Sequence, residues 1–589
     1  MTKKNIALLF LLSMGFLSLA SYAEAGANGK ALHQLFAKDW QARLERNPML
    51  ATRMGVTNSA HLLFDASESA YQDWARKTQS FINELKKIEF QKLSKDDQIN
   101  YQIFHQQLKR RLSEIQFKSY QIPFFSDSGF HTQMMRLNTE VPLKTAKDYE
   151  NYIARLNGIP RYFKQNTDNM KNGLARGFSM PAVVMIGFSD VIKKAYSGGV
   201  AQSPLWQPFN KMPDSISAQD QKRLKLAGEK ALQNAVLPAF QRLFRFFEET
   251  YIPKTKQSLG AYEFPDGKAY YAAQIAHYTT LDLSAEEIHN IGLKEVARIR
   301  AEMEEVIKET GFKGDFRAFL KHLRQSPEFY AKTPQDLIKE ASYISKKMDG
   351  KLPSLFTRLP RQPYTVEPVP DAIAPKYTTG RYLSAPLDSE RPGVYWVNTY
   401  ALNKRPLYVL EALTLHEAVP GHHLQNALNQ ELENLPNFRR YSYISAFGEG
   451  WGLYSERLGL EVGFYQDPYS NFGRLTYEMW RAARLVIDTG IHSKGWTREQ
   501  AIELLENNSA LSTHNIRTEV DRYISWPGQA LSYKLGEIKI RELRAKAEKA
   551  LEGKFDIRLF HDEILKNGSI PLAVLESQID DFISRQLKK

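Results

Sequence analysis

His416-Glu417-Ala418-Val419-Pro420-Gly421-His422-His423-Leu424-Gln425 comes within two residues of a metal-binding helix. In the H-E-x-x-H motif two histidines one helical turn apart reach the same zinc ion, and the intervening Glu serves as general base. Here the next histidines stand six and seven positions after His416. On an unbroken helix those positions lie roughly 9 to 10.5 Å further along the axis, too far for two imidazoles to share an ion bound at about 2 Å. Pro420 removes an amide donor and clashes with the carbonyl four residues back, at His416, while Gly421 tolerates backbone conformations closed to other residues. The reading that reconciles these residues is a helix broken at Pro420-Gly421, with two residues looped out so that His422 returns to the place of the second ligand. His423 is the alternative.

A second stretch, Phe447-Gly448-Glu449-Gly450-Trp451-Gly452-Leu453-Tyr454-Ser455-Glu456, carries two carboxylates seven positions apart, on one face of a helix. Catalytic zinc takes three protein ligands and keeps one position open. A His, His, Glu set therefore needs a carboxylate from a neighbouring helix. Glu449 fits that need, with Glu456 as the alternative ligand.

These stretches, with residues 278–289, 488–492 and 519–536, resemble the bacterial family catalogued as domain of unknown function 885 over nearly the whole mature chain. That family is in turn distantly similar to the helical zinc peptidases, the group of angiotensin-converting enzyme, thimet oligopeptidase and carboxypeptidase Taq. The resemblance implies a mainly α, two-lobed helical metallopeptidase-like fold around a deep channel. It also implies a tyrosine late in the chain facing the metal. Tyr533 is the first candidate for that donor and Tyr523 the second. A positioned hydroxyl or imidazole stabilises the oxyanion of amide hydrolysis, so His492 and His514 are further candidates. Arg522 and Lys534 are the candidates for holding a substrate carboxylate through charge-assisted hydrogen bonds.

Val394-Tyr395-Trp396-Val397-Asn398-Thr399 is β-branched and aromatic, follows Pro392-Gly393, and leads into the His416 segment. It is expected to be a small β element beside the active-site helix. As an edge strand it would bind the substrate backbone, with Asn398 among the contacts.

The rest of the chain is read as helical. Ser284 and Glu287 form a capping-box signature, followed by Ile288, Ile291, Val296, Ile299 and Met303 at helical spacing. Similar patterns run through residues 32–46, 71–88, 98–115, 146–173 and 218–251. Proline and glycine clusters at 197–214, 359–375 and 386–393 read as loops or lobe junctions. The expected organisation is a signal peptide at 1–25 and one helical peptidase-like domain at 26–589. Its lobes are placed at about 26–250 and 251–589, with the metal site at 416–456 and a C-terminal motif at 514–536.

Lys3-Lys4, an apolar run over 6–20 and Ala23-Glu24-Ala25 make the export signal. No later segment is apolar enough to span a membrane, and no cysteine is present for a lipid anchor, disulfide or thiol nucleophile. A periplasmic or extracellular protein follows. The net charge is +13, but the basic residues are dispersed and not interleaved with aromatics, so no nucleic-acid partner is expected. There is neither a G-x-S-x-G elbow nor a P-loop.

The function expected is therefore Zn²⁺-dependent hydrolysis of short peptides. His416, His422 and Glu449 hold the metal, Glu417 acts as general base, and Tyr533 steadies the oxyanion. A non-catalytic metal-binding or interaction protein of the envelope, and a zinc hydrolase of non-peptide amides or esters, are the alternatives.

Overall fold

A computed structural model describes residues 26–371, 373–385 and 390–589; the expected export signal lies outside them. The fold is mainly α with one three-stranded sheet. None of the described helices is long and apolar enough to cross a membrane. The chain divides into two compact units, one running to Ser258 and including Pro436–Arg439, the other comprising Leu259–Leu435 and Arg440–Lys589.

The first unit is built from α1 (Ala27–Arg46), α2 (Glu68–Leu85), α3 (Lys95–Gln116), α4 (Ala146–Ala175), α5 (Ala218–Ala231) and α6 (Leu237–Phe246). Their starts follow from local chemistry. At α4 the Thr145 hydroxyl accepts from the Asp148 amide at 3.2 Å and Asp148 accepts from the Thr145 amide at 2.9 Å, satisfying donors that a helix start leaves unpaired. Arg155 of α4 is only 1% exposed, and its guanidinium donates to Leu62 O at 2.9 Å and Thr52 Oγ1 at 2.6 Å, not to a carboxylate. The short segment Pro436–Arg439 belongs here because Phe438 packs on Phe36 and Phe104, with centroids 4.6 and 5.1 Å away.

In the second unit α7 (Gly267–Thr279) and α8 (Ala285–Glu309) come first. The capping box at α8 forms as read: Ser284 Oγ accepts from Glu287 N and Glu287 Oε2 from Ser284 N, at 3.2 and 2.8 Å. Ile288, Ile299 and Met303 are buried beneath it. Three strands follow, β1 (Tyr364–Pro368), β2 (Gly380–Leu383) and β3 (Gly393–Val397). Among the helices after them are α9 (Leu410–Glu417), α10 (His422–Gln430), α11 (Ser445–Leu458), α12 (Pro468–Lys494), α13 (Thr513–Ser525) and α14 (Ser532–Leu551).

The sheet corrects one expectation. Its order is β1-β3-β2, with β3 parallel to β1 and antiparallel to β2. The strand read at 394–399 therefore exists as β3 but is central, and both its edges are already paired. Its alternating burial, with Tyr395 and Val397 buried, suits a strand covered on one face. The edge nearest α9 belongs instead to β2, which composition did not reveal. β1 likewise replaces part of the loop read at 359–375.

α12 is the hub of this unit, because every residue from Phe472 to His492 is buried. A helix covered all round must pair its charges internally. Glu478 accepts from Lys534 at 2.8 Å and Arg474 at 3.1 Å, and Arg484 donates to Glu519 at 2.8 Å. α11 crosses α14 with almost no gap: a Cβ on Gly450 would lie 2.6 Å from the Gly536 backbone. That close crossing brings Glu449 to the same place as Tyr533, one turn before Gly536.

Candidate metal centre

α9 ends at Glu417 and α10 begins at His422, so residues 418–421 form the break between the two helices. The Val419–Pro420 bond is cis. Two contacts hold the break. Trp451 of α11 donates its indole N–H to Pro420 O at 2.8 Å, and Gly421 lies so close to α9 that a Cβ there would fall 1.9 Å from His416 O. Only glycine fits that approach.

The consequence is a cluster. His416, His422 and Glu449 each offer one ligand atom within 4.8 Å of the others. Glu449 Oε2 lies 3.6 Å from His416 Nε2 and 3.4 Å from His422 Nε2, and the imidazoles stand nearly perpendicular at a centroid distance of 4.8 Å. His423, the alternative ligand, points elsewhere: it is buried and its Nδ1 meets Tyr382 Oη at 3.0 Å. Glu456, the alternative carboxylate, accepts the Nδ1 hydrogen of His416 at 2.7 Å. That bond leaves the other nitrogen of His416 facing Glu449, the usual arrangement behind a metal-ligating histidine.

The donor set fits a divalent cation. Burial alone would lower the His416 imidazole, but hydrogen bonds to Glu449 and Glu456 and the charges of Glu456 and Glu417 outweigh it and lift it to about 10. Burial likewise favours a neutral Glu449, yet His416 and His422 hold its carboxyl well below the ordinary range. Three carboxylates thus surround two imidazoles in a buried place, which calls for positive charge. Two nitrogens and one carboxylate oxygen match the protein ligands of catalytic zinc, which keeps one further position open.

Glu417 is not part of the set. Its Oε2 accepts from the backbone amide of Tyr382 in β2 at 2.8 Å. That amide points away from β3, so Glu417 sits at the free edge of the sheet. Tyr533 comes close enough to Glu449, Arg522 and Arg484 to feel their charges. Burial and Glu449 push its hydroxyl up, but the two guanidiniums and a 3.4 Å bond from Arg522 Nη2 bring it below the ordinary tyrosine range. Tyr443, which sequence reasoning passed over, donates to Glu449 Oε1 at 3.1 Å and lies within electrostatic reach of Tyr533 and Glu417. Only its place six residues before Glu449 hinted at this.

Several expected site residues have other work. Asn398 is fully buried, and its amide donates to the carbonyls of Ala374, Tyr377 and Thr378, each at 3.0 Å. It ties a loop together and is not presented to a substrate. Lys534 is enclosed by Glu295, Glu478 and Glu537 at 2.8 to 2.9 Å, so its charge is already matched. His492 accepts from Ala261 N at 3.1 Å and donates to Tyr523 O at 2.9 Å, leaving neither nitrogen free. Tyr523 accepts from Trp480 and Arg484 at 2.8 and 2.9 Å, in the core. Arg522 faces Glu519, Gln529 and Tyr533. Its charge is met by Glu519 and acts on Tyr533, so it is not held out for a substrate carboxylate. His514 is exposed and lines a different pocket.

The family described as "Bacterial protein of unknown function (DUF885)" matches residues 48–579. The chain belongs to the DUF885 family. No curated protein matches it. Among solved structures, this DUF885 chain is similar to the "putative lipoprotein from Colwellia psychrerythraea", with 29% identity, a TM-score of 0.87, and 94% of this chain and 99% of that one covered. It shares its fold with a "putative lipoprotein of unknown function from Shewanella oneidensis", at 19% identity and a TM-score of 0.71, over 93% and 98% of the two chains.

Proposed function

We propose that this DUF885 protein is a zinc-dependent hydrolase that cleaves short peptides. The observation carrying the proposal is the division of labour around the break. His416, His422 and Glu449 converge within 4.8 Å, while Glu417, adjacent to His416 in sequence, is kept out of the set and anchored on a strand edge. Zinc, when bound, supplies Lewis acidity that polarises a carbonyl oxygen and acidifies water.

The chain's own residues do the rest. Glu417, steadied through Oε2 by the Tyr382 amide, takes the proton of the attacking water and returns it to the departing amine. The Tyr533 hydroxyl, made a better donor by Arg522 and Arg484, hydrogen-bonds the oxyanion. The β2 edge, beyond the Tyr382 amide that holds Glu417, aligns the peptide backbone through main-chain hydrogen bonds, which tolerate varied side chains. The lipoprotein descriptions of the two similar structures support a location in the cell envelope.

A digest of mixed short peptides by zinc-loaded protein, read by mass spectrometry, tests this reading. Cleavage that disappears with a chelator and returns with zinc is the expected outcome. Stoichiometric zinc with every peptide left intact would overturn it.

A further inference from the structure

A pocket of about 250 Å³ opens in the second unit at the N-terminal end of α9. Its wall carries Arg324, Lys404, Arg405 and His514 and, among the described residues, no carboxylate. Arg405 is the informative one. It is only 9% exposed, and its one hydrogen bond among the described residues runs from Nε to Tyr400 O at 3.3 Å. The buried arginines of α12 behave differently: Arg474, Arg481 and Arg484 face Glu478, Glu456 and Glu519. A buried guanidinium without a counter-charge is expensive, and burial lowers its basicity here with only Tyr477 opposing. Arg324 adds a second cation whose bonds among the described residues go to the carbonyls of Glu506, Ser509 and Leu511.

Two further donors are unmatched. Among the described residues, the fully buried Thr476 hydroxyl has no partner, and neither has the buried Asn515 Nδ2. The N-terminus of the 13-residue helix α13 also faces the pocket, at Thr513 and His514. Helix N-termini favour anions. Cations, hydroxyl, amide and helix end all favour one kind of guest, a small oxyanion.

The position of the pocket narrows the guest further. Thr379, immediately before β2, lines it, and Tyr382, three residues on, holds Glu417. Three residues of extended chain span about 10 Å. Tyr477 forms part of the wall and is near enough to both Arg405 and Glu417 for their charges to act on its hydroxyl. We propose that the Arg405 pocket receives the terminal carboxylate of a short peptide lying along the free edge of β2, so that the cut is measured from the C-terminal end. This assignment rests on the peptidase reading for its guest.

The test separates the two. N-acetyl-trialanine and its C-terminal amide are titrated into zinc-loaded full-length protein carrying Glu417→Gln, so that binding is read without turnover. The acid is expected to bind at least tenfold more tightly than the amide. Adding Arg405→Gln should erase that preference, and Arg405→Lys should restore part of it. Lys404→Gln, at an exposed position that does not threaten folding, should weaken the acid about threefold and leave the amide unchanged. Equal binding of acid and amide, binding of neither, or a preference that survives Arg405→Gln would overturn the proposal. So would Arg405-dependent binding of inorganic phosphate with no effect of the peptide carboxylate. A clear acid preference in a protein whose wild type cleaves nothing would uphold the pocket and reject the peptidase reading. Cleavage without the preference would do the reverse.

Discussion

Glu456 accepts the Nδ1 hydrogen of His416 at 2.7 Å, and both side chains are at least 97% buried. The bond fixes which imidazole nitrogen faces Glu449 and raises its basicity toward a cation. Glu456→Gln should therefore weaken zinc binding by roughly 10 to 100-fold, the usual loss when the partner behind a ligating histidine is altered. Competition with a chromophoric chelator measures it. Unchanged affinity would mean that Glu456 only fills space.

Glu417→Gln removes the base but preserves its shape and the bond from the Tyr382 amide. Zinc content should stay at the wild-type level while kcat falls by about 10² to 10⁴, the range for loss of a general base. A metal-loaded variant with substantial turnover would remove Glu417 from the mechanism.

Tyr533 and Tyr443 both approach Glu449, but their surroundings differ. Tyr533 is flanked by Arg522 and Arg484, whereas Tyr443 donates to the ligand carboxylate itself. Tyr533→Phe should lower kcat by about 10² to 10³ with little change in KM, as expected for a donor used mainly in the transition state. Tyr443→Phe should act chiefly on zinc affinity. The opposite pattern in steady-state kinetics and metal titration would exchange their roles.

Gly421→Ala puts a methyl group where His416 O already lies 1.9 Å from the added carbon. Relief requires α9 and α10 to move apart, so stability should fall by about 1 to 3 kcal/mol, as for an overpacked site, and zinc binding should fall with it. Thermal melting and metal titration on the same sample check both.

Acid should destabilise the second unit through its buried neutral histidines. Burial pushes His561 down to about 3 and His492 down to about 4, against about 6.5 in an unfolded chain. Between those values the unfolded state holds the extra proton, so stability drops as pH falls below about 6.5. Each fully buried histidine contributes on the order of 1.4 kcal/mol per pH unit in that window. Asp488 works against this. Burial raises it to about 7 despite bonds from Tyr271 and Gly528, so the folded state holds its proton and gains stability on acidification toward the unfolded carboxyl's ordinary value. Urea midpoints from pH 7 to 5 should show a shallower slope for His561→Gln and a steeper one for Asp488→Asn.

The helices were legible because their signals are local. The capping pairs Thr145/Asp148 and Ser284/Glu287 and the apolar spacing of α8 need only neighbours in sequence. The convergence of His416, His422 and Glu449 was legible for a related reason: two imidazoles and a carboxylate near a Pro-Gly break have few other uses in common. What escaped depended on distant partners. β2 is four residues long and has meaning only beside β3 and Glu417. Asn398, Lys534 and His492 looked like site residues because they are polar and lie in motifs, yet each is occupied by groups the sequence cannot place nearby. Arg405 is the converse case, plain in sequence and distinctive only once it is seen to meet no carboxylate among the described residues.

The bond from Trp451 to Pro420 has a consequence for how an ion would enter. α11 offers Glu449 to the candidate metal site and, two residues later, clamps the turn between His416 and His422. One helix therefore both offers a candidate donor and holds the turn that spaces the other two. Loading such a site should leave the protein's backbone protection from hydrogen exchange nearly unchanged around 416–422. Choice among cations then falls to their radius and ligand preference, with no folding step to favour whichever arrives first.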